Sequence, residues 1–380
     1  MRDEPAARAA AADAAFGADL YQVLAEDAAS TVFSPASVAS ALRMALCGAR
    51  GQTAAELARV LRLDRSSPPE DVVVSGLSLV SAGRDGGSAV FRAPNTVWVQ
   101  SGLPLRPGFT EQLSRAAAAL ADADFAAAPE AARAEINRVI AGQTEGKITG
   151  LLASGAITML TRLVLASAVY LKAAWAEPFP EQATAGAPFY PHDRGGPALT
   201  VPMMRGTAPR AYLRGDGYQA VLLPYRDIGL AMAVLLPDGP LAALRPKVAA
   251  AGLGGLLAGA ARHQVTLSLP RFRLEAAFDL IPALRRLGVA AAFGAHADFT
   301  GITDAAPLRI GAVAHKAYID VDERGTEAAA ATAVVLRTLA AMRPPPPVTM
   351  VVDRPFLFAI VDTATSLPVF LGQVSRSGPG

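Results

Sequence analysis

The 380-residue chain reads as an α+β protein on three observations. Helical periodicity fills its first two-fifths, strand patterns crowd the region after Val201, and 52% hydrophobic against 18% charged residues is the composition of a chain that folds. The first helix is carried by Phe16, Leu20, Val23 and Leu24 at three- and four-residue spacing. Val38, Leu42, Ala45 and Leu46 repeat the pattern after Ser34-Pro35, a helix start because proline is tolerated in a first turn whose N–H groups have no helical partner. Gly48 to Gly51 ends that helix, and Gln52 to Leu61 forms a short third one. Ala89 to Gln100 has strand composition with Pro94 and Asn95 in its middle. A further helix is expected from about Ala131 to Gln143, and an apolar β-type segment from Arg162 to Tyr170. Strands follow at Tyr218 to Pro224, Leu230 to Leu236, Val265 to Leu269, Leu308 to Asp322 and Phe356 to Asp362. No internal repeat and no flexible linker divides the chain, so residues 1–380 are expected to form a single domain.

The charge balance, 35 basic against 33 acidic residues, produces no field that would recruit a nucleic acid. A single cysteine, Cys47, excludes an internal disulfide framework, and its setting ALRMALCGA is that of a packed thiol. No run reaches the eighteen or so apolar residues of a membrane span, so no membrane partner is expected. The Ala-rich start, with acidic residues spread through it, lacks the basic and unbroken apolar parts of an export signal, and the chain is expected in the cytoplasm if it is complete. Neither G-x-S-x-G nor H-E-x-x-H occurs, and His192, His263, His296 and His315 are scattered without ligand spacing, so no metal, cofactor or catalytic set is expected. Gly142 to Thr149 resembles a phosphate loop but is one residue short between its glycines and has Ile148 where a hydroxyl should stand; a helix end at Gln143 to Gly146 is the better reading.

The segment from Glu323 to Pro347 is the informative one. At period two, one face carries Thr326, Ala328, Ala330, Thr332, Val334 and Leu336, all small or apolar. The other carries Glu327, Ala329, Ala331, Ala333, Val335 and Arg337 and holds both charges. That is a strand able to bury one face, beginning at Gly325 and ending before a proline block that cannot extend a central ladder. Local propensity from Glu327 to Ala333 favours an Ala-rich helix instead.

Around it stand FSPASVASALRMALCGARGQTAAEL, INRVIAGQTEGKI, LVLASAVYLKAAW, LPYRDIGLAMAVLLPDG, LPRFRLEAAFDLIPALRRLGV, ADFTGIT, HKAYIDVDERGTEAAAATA, DRPFLFAI and SLPVFLGQV. In this order, from about Phe16 to Val374, they resemble the serpins, and the chain looks like a prokaryotic, inhibitory member. The resemblance implies the serpin fold, three β-sheets with eight or nine helices and an exposed reactive-centre loop, here about residues 323–347. It also implies a monomeric, extracellular, irreversible inhibitor that a target serine protease, or a cysteine protease as the alternative, cleaves, and possession of a hinge that inserts into the central sheet while the acyl-enzyme is still attached. Glu323, Gly325, Thr326, Glu327, Ala328, Ala329, Ala330, Ala331 and Thr332 match the hinge. Ser34, Ser37, Asn95 and His315 match the polar cluster beneath the central sheet called the shutter, and Trp175, with Glu323, matches the top of the sheet, the breach. The chain departs from the family in having Ser167 for its usual asparagine and Val139 for its usual tryptophan, which puts the detail of the shutter hydrogen bonds in question.

The family's interval from hinge glutamate to bait residue places the cut at Leu339-Ala340, suited to a chymotrypsin-, subtilisin- or elastase-like protease. A shifted register would present Arg337, Met342 or Arg343. Asp71 to Ser88 carries only Arg84 as a basic residue, so no heparin site is expected. A non-inhibitory serpin acting as chaperone or carrier is the alternative, and charge or proline in the hinge would favour it; there is neither.

Overall fold

The computed structural model describes residues 4–25, 30–63, 76, 84–87, 89–191, 196–327 and 346–376. Its elements run α1 (Glu4–Leu24), β1 (Thr31–Phe33), α2 (Pro35–Gly48), α3 (Gly51–Val60), β2 (Arg84–Gly86), β3 (Ala89–Arg92), β4 (Asn95–Gln100), α4 (Pro107–Arg115), β5 (Ala119–Ala123), α5 (Pro129–Gln143) and β6 (Leu163–Ala174). They continue through β7 (Ala185–Phe189), β8 (Leu199–Gly215), β9 (Tyr218–Pro224), β10 (Leu230–Pro237), α6 (Leu244–Leu257), β11 (Ala261–Pro270), β12 (Phe272–Asp279), α7 (Ile281–Arg286), β13 (Ile310–Val321), β14 (Gly325–Thr326), β15 (Val348–Val351), β16 (Phe356–Asp362) and β17 (Pro368–Val374). Seven α-helices thus lie among the described residues, where the resemblance implied eight or nine for the whole chain.

Among the described residues the strands join into two hydrogen-bonded networks. One runs β1-β17-β16-β10-β9-β8-β11-β15, with β7 also on β8. The long β8 serves two layers: Leu199 to Met203 pair with β7, Met203 to Tyr212 with β11, and Ala211 to Gly215 with β9. The other network is the central sheet, in which β6 pairs antiparallel with β3 and β4 on one side and parallel with β13 on the other, and β12 closes the far edge. Pro94 explains why Ala89 to Gln100 becomes two strands. It cannot donate to the ladder, but its carbonyl accepts from Ala168 N–H at 3.0 Å, so β3 and β4 continue one another along β6.

β6 reads as a near-continuous apolar run, and β13 is buried along most of its length, because both faces of the central sheet are covered. On one face Val164, Ala166, Ala168, Ala312 and Ala314 pack under α5, which presents Ala132, Ile136 and Ile140 at helical spacing. On the other, Val169, Leu171, Ala173, Ala317, Ile319 and Val321 join a cluster with the strands of the first network. Ser34 caps α2, its hydroxyl accepting from Ser37 N–H at 3.1 Å, and α2 is buried along nearly its whole length beneath the central sheet. Gln143 ends α5 as the sequence indicates, with Glu145 and Gly146 both at positive φ, so the phosphate-loop likeness is a helix terminus. No described helix is long and apolar enough to cross a membrane, and no group of three metal-ligating side chains occurs among the described residues.

Candidate functional site at the opening of the central sheet

β6 and β13 pair directly from Leu163 opposite Ile310 to Val169 opposite Ala317. Above that level β14 lies between them, Thr326 opposite both Val321 of β13 and Ala173 of β6, and Gly325 opposite Ala174. The seam is therefore closed below and held apart above by two residues of the predicted hinge. Gly325 is required there by space: a Cβ would stand 2.1 Å from the Ala173 carbonyl oxygen and 2.8 Å from Ala174 Cα. Thr326 is wholly buried, and its hydroxyl meets Tyr225 Oη at 2.5 Å. Burial drives the Tyr225 phenol upward, so this is a hydrogen bond between neutral groups.

The base of the hinge is fixed from several directions. Trp175 stacks on Tyr225 with ring centroids 4.5 Å apart, and its Nε1–H donates to Asp322 O at 3.0 Å. Its backbone N–H donates to Arg324 O at 2.8 Å. Glu323, 3% exposed, takes a two-pronged hydrogen bond from Arg271 Nε at 2.9 Å to each oxygen and a further one from the Thr184 hydroxyl. Burial alone would raise the Glu323 carboxyl, but these donors outweigh it and hold the group below its ordinary value. Glu327 donates its N–H to Asp320 O at 3.0 Å, prolonging the β13 side of the ladder by one residue. It then leaves the strand at φ 50°, a left-handed conformation unusual for a residue with a long side chain.

The polar cluster sits where the closed part of the seam crosses α2. His315 on β13 is opposite Ser167 on β6, and its Nδ1 lies 3.0 Å from Ser167 Oγ. Its Nε2 accepts from Ser34 N–H at 2.9 Å, which places the ring proton on Nδ1, donating to Ser167. Burial pushes the imidazole down to about 3, so it is neutral at ordinary pH. Ser37 Oγ is 3.5 Å from Ala168 O. Asn95 is opposite Ser167 on the β4 side, yet its amide turns to Ala93 O at 3.0 Å and leaves His315 to the serines. Ser167 thus has a hydroxyl in a bond to His315 at the position where the family usually has an asparagine.

The structure brings Glu323, Gly325, Thr326, Glu327 and Trp175 together at the top of the seam, and Ser34, Ser37, Asn95 and His315 around its closed half. Ala328, Ala329, Ala330, Ala331, Thr332, Arg337, Leu339, Ala340, Met342 and Arg343 lie outside the described residues. Sequence reasoning missed Tyr225, Arg271, Thr184 and Lys147, the last ion-paired with Glu327. Each reaches the hinge across a large sequence separation, so no local pattern marks it.

A family profile described as Serpin (serine protease inhibitor) matches residues 11–377. The leukocyte elastase inhibitor of Sus scrofa is 36% identical over 377 residues, covering 96% of this chain and 98% of its own. Among solved structures, a highly specific serpin of the insect Tenebrio molitor, Serpin48, superposes with a TM-score of 0.84 at 27% identity, covering 100% of both chains. Human thyroxine-binding globulin in complex with its hormone superposes at 0.87 with 25% identity, covering 99% of this chain and 100% of that one.

The neutral imidazole gives a pH dependence with a definite sign. Because the folded value of about 3 lies below the ordinary 6.5, the unfolded chain binds the extra proton, and the contribution of His315 to stability is complete above pH 6.5 and is lost as pH falls toward 3. The variant His315→Gln should be less stable at pH 7 and lose less on acidification across that window. Denaturant unfolding of both proteins at a series of pH values checks this, and parallel profiles would show that His315 carries no such linkage.

Proposed function

Because the chain belongs to the serpin family and is a protease inhibitor rather than an enzyme, we propose that it inhibits by trapping its target as an acyl-enzyme. In this reading the protease serine Oγ attacks the Leu339 carbonyl, the bond to Ala340 breaks, and the new amine of Ala340 leaves with the proton. The freed segment then enters between β6 and β13 with the protease still esterified to Leu339, and the protease active site is deformed as it is drawn along. Arg337, Met342 and Arg343 are the alternative bait positions.

The observation that carries this reading is the placement of β14 at the head of a seam that continues below it. Each step along the chain from Thr326 is one step back along β6 from Ala173, so in that register Leu336 would come opposite Leu163, the first residue of β6. The small or apolar face from Thr326 to Leu336 would then span the strand from end to end. One parallel seam would be replaced by two antiparallel ladders, a net gain of about a dozen hydrogen bonds at ~1 kcal/mol each, on the order of 10 kcal/mol. In the same reading His315, Ser34 and Ser167 act as the shutter that must part, Ser37 and Asn95 support it, and Trp175 with Glu323 holds the breach. Ala328 to Thr332 complete the hinge. Leu339 suits an elastase-, chymotrypsin- or subtilisin-like pocket, in keeping with the name of the porcine relative.

Incubation with elastase, chymotrypsin, subtilisin and trypsin, followed by denaturing electrophoresis, tests the proposal. A covalent band at the summed mass is expected with at least one of the first three. Quantitative cleavage with every protease left fully active would favour the carrier alternative, for which the thyroxine complex of a similar fold is the precedent.

Thr326→Arg should convert the inhibitor into a substrate. The side chain is wholly buried against Tyr225, and an unpaired guanidinium there costs about 3–5 kcal/mol, which slows insertion relative to deacylation. Cleavage should continue while complexes vanish on the gel; undiminished complex would refute the inward orientation of residue 326 during insertion.

Mass spectrometry of the small peptide released on denaturing the complex reads the bait residue directly. A fragment beginning at Ala340 is expected; one beginning at Thr338 moves the bait to Arg337, and one beginning at Pro344 moves it to Arg343. With Leu339 as bait, Leu339→Arg should transfer inhibition from chymotrypsin-like to trypsin-like proteases and leave trapping intact.

A further inference from the structure

The last described hinge residue is held by a group outside the hinge. Glu327 lies on the opposite face of the central sheet from Thr326, its side chain largely buried, and its carboxylate is ion-paired with Lys147 Nζ. Lys147 belongs to the turn that follows α5, and that turn is rigid. Thr144 Oγ1 donates to Ile140 O at 2.8 Å and accepts from Ile148 N–H at 3.3 Å. Lys147 N–H donates to Thr144 O at 2.9 Å, and Ile148 is buried in the cluster beneath α5. The ammonium also stands 6.0 Å from the centre of the Tyr318 ring on β13. On the β6 side, Tyr170 Oη donates to Glu145 Oε2 at 3.2 Å. The turn thus bridges both strands that border the gap and presents one cation to the hinge carboxylate.

We propose that Lys147 is a positioning residue for the hinge, holding Glu327 at the mouth of the gap so that insertion begins from a strand already seated through Thr326. Two geometrical facts give the direction of the effect. The Glu327 N–H is already in the ladder with Asp320 O, so the ion pair and the first hydrogen bond of an inserted strand coexist. In addition, the register that sets Thr326 opposite Ala173 sets residue 327 opposite Lys172, so a fully extended Glu327 stays on the Lys147 face, and its backbone need only turn from φ 50° to extended. The pair therefore favours the seated hinge both before and during insertion. Without it, the left-handed exit at Glu327 keeps only its N–H bond to Asp320 O and the Tyr170 hydroxyl, and the hinge can withdraw more readily.

The proposal rests on the trapping reading above. Its measure is the number of inhibitor molecules consumed per protease inactivated, set by competition between insertion and deacylation, alongside the rate of the initial cleavage. Lys147→Met should raise the excess of that number over one roughly 1.5- to fivefold, the range of a partly exposed ion pair, with the cleavage rate unchanged. Lys147→Arg should restore it, and so should the charge exchange Lys147→Glu with Glu327→Lys, which a merely structural role for Lys147 would not do. A lower number, or spontaneous loss of activity by Lys147→Met, would make Lys147 a brake and overturn the proposal. Wild-type partition in Lys147→Met would overturn it as well, as would failure of both rescues. If the wild-type chain forms no covalent complex, the trapping reading fails; if it does and Lys147→Met matches it, this proposal alone fails.

Discussion

Everything at the candidate site depends on one feature of strand pairing: β6 and β13 are joined parallel over only the lower part of their length. Two long apolar strands, covered on both faces, present backbone N–H and C=O groups toward each other that cannot be left unpaired without cost. Below, they satisfy each other. Above, Gly325 and Thr326 satisfy them as a two-residue strand between Ala173 and Val321. The sheet is thus a structure with a strand position partly filled, and the fill comes from the segment the sequence marks by its small side chains. The Trp175–Tyr225 stack and the Arg271–Glu323 pair fix the base of that segment, so any further movement must start beyond Thr326.

The closed half of the seam is held by polar rather than apolar means. His315 bonds across it to Ser167 and, through Nε2, to the first turn of α2, so separating the strands breaks contacts on β6 and beneath the sheet together. A charged imidazole could not serve, since Nε2 would then present a proton to the Ser34 N–H. The same burial that keeps the ring neutral makes its hydrogen bonds costly to break without replacement. Outside the sheet the contacts are of another kind: Lys147 pairs with Glu327 and Lys172 with Glu145, ion pairs partly open to solvent and correspondingly weaker.

Much of this was legible in the sequence, because local chemistry determines it. Ser34-Pro35 caps and opens α2, Pro94 divides one extended run into two strands, and β9, β10, β13 and β16 fall within a few residues of their apolar runs. The helices α4 and α6 were not read: α4 is short and buries only Phe109 and Leu113, and α6 contains non-helical Gly252. β12 was read only as part of a family motif, although its burial alternates along Phe272–Asp279. The partners of the hinge were illegible for a different reason. Arg271, Thr184 and Tyr225 are ordinary residues on separate strands and turns, and only the folded topology brings them to Glu323 and Thr326.

The choice of alanine for a segment proposed to enter the sheet as a strand looks unfavourable, since alanine is depleted in strands and favours helix. The geometry of the gap resolves the conflict. Thr326 is already enclosed by Tyr225 and Ala173, and Gly325 approaches Ala173 so closely that even a methyl group would collide. A following strand of large residues would gain more from burial once in place, but each would have to pass between strands and covering layers packed at interior density. Small side chains forgo part of that gain and leave the backbone ladder as the driving force, at about 1 kcal/mol per hydrogen bond. In the proposed mechanism insertion must finish before the acyl-enzyme hydrolyses, so the height of the barrier to insertion matters more than the depth of the final well. On that proposal, the alanine run from Ala328 to Ala331 lowers the barrier at the expense of the well.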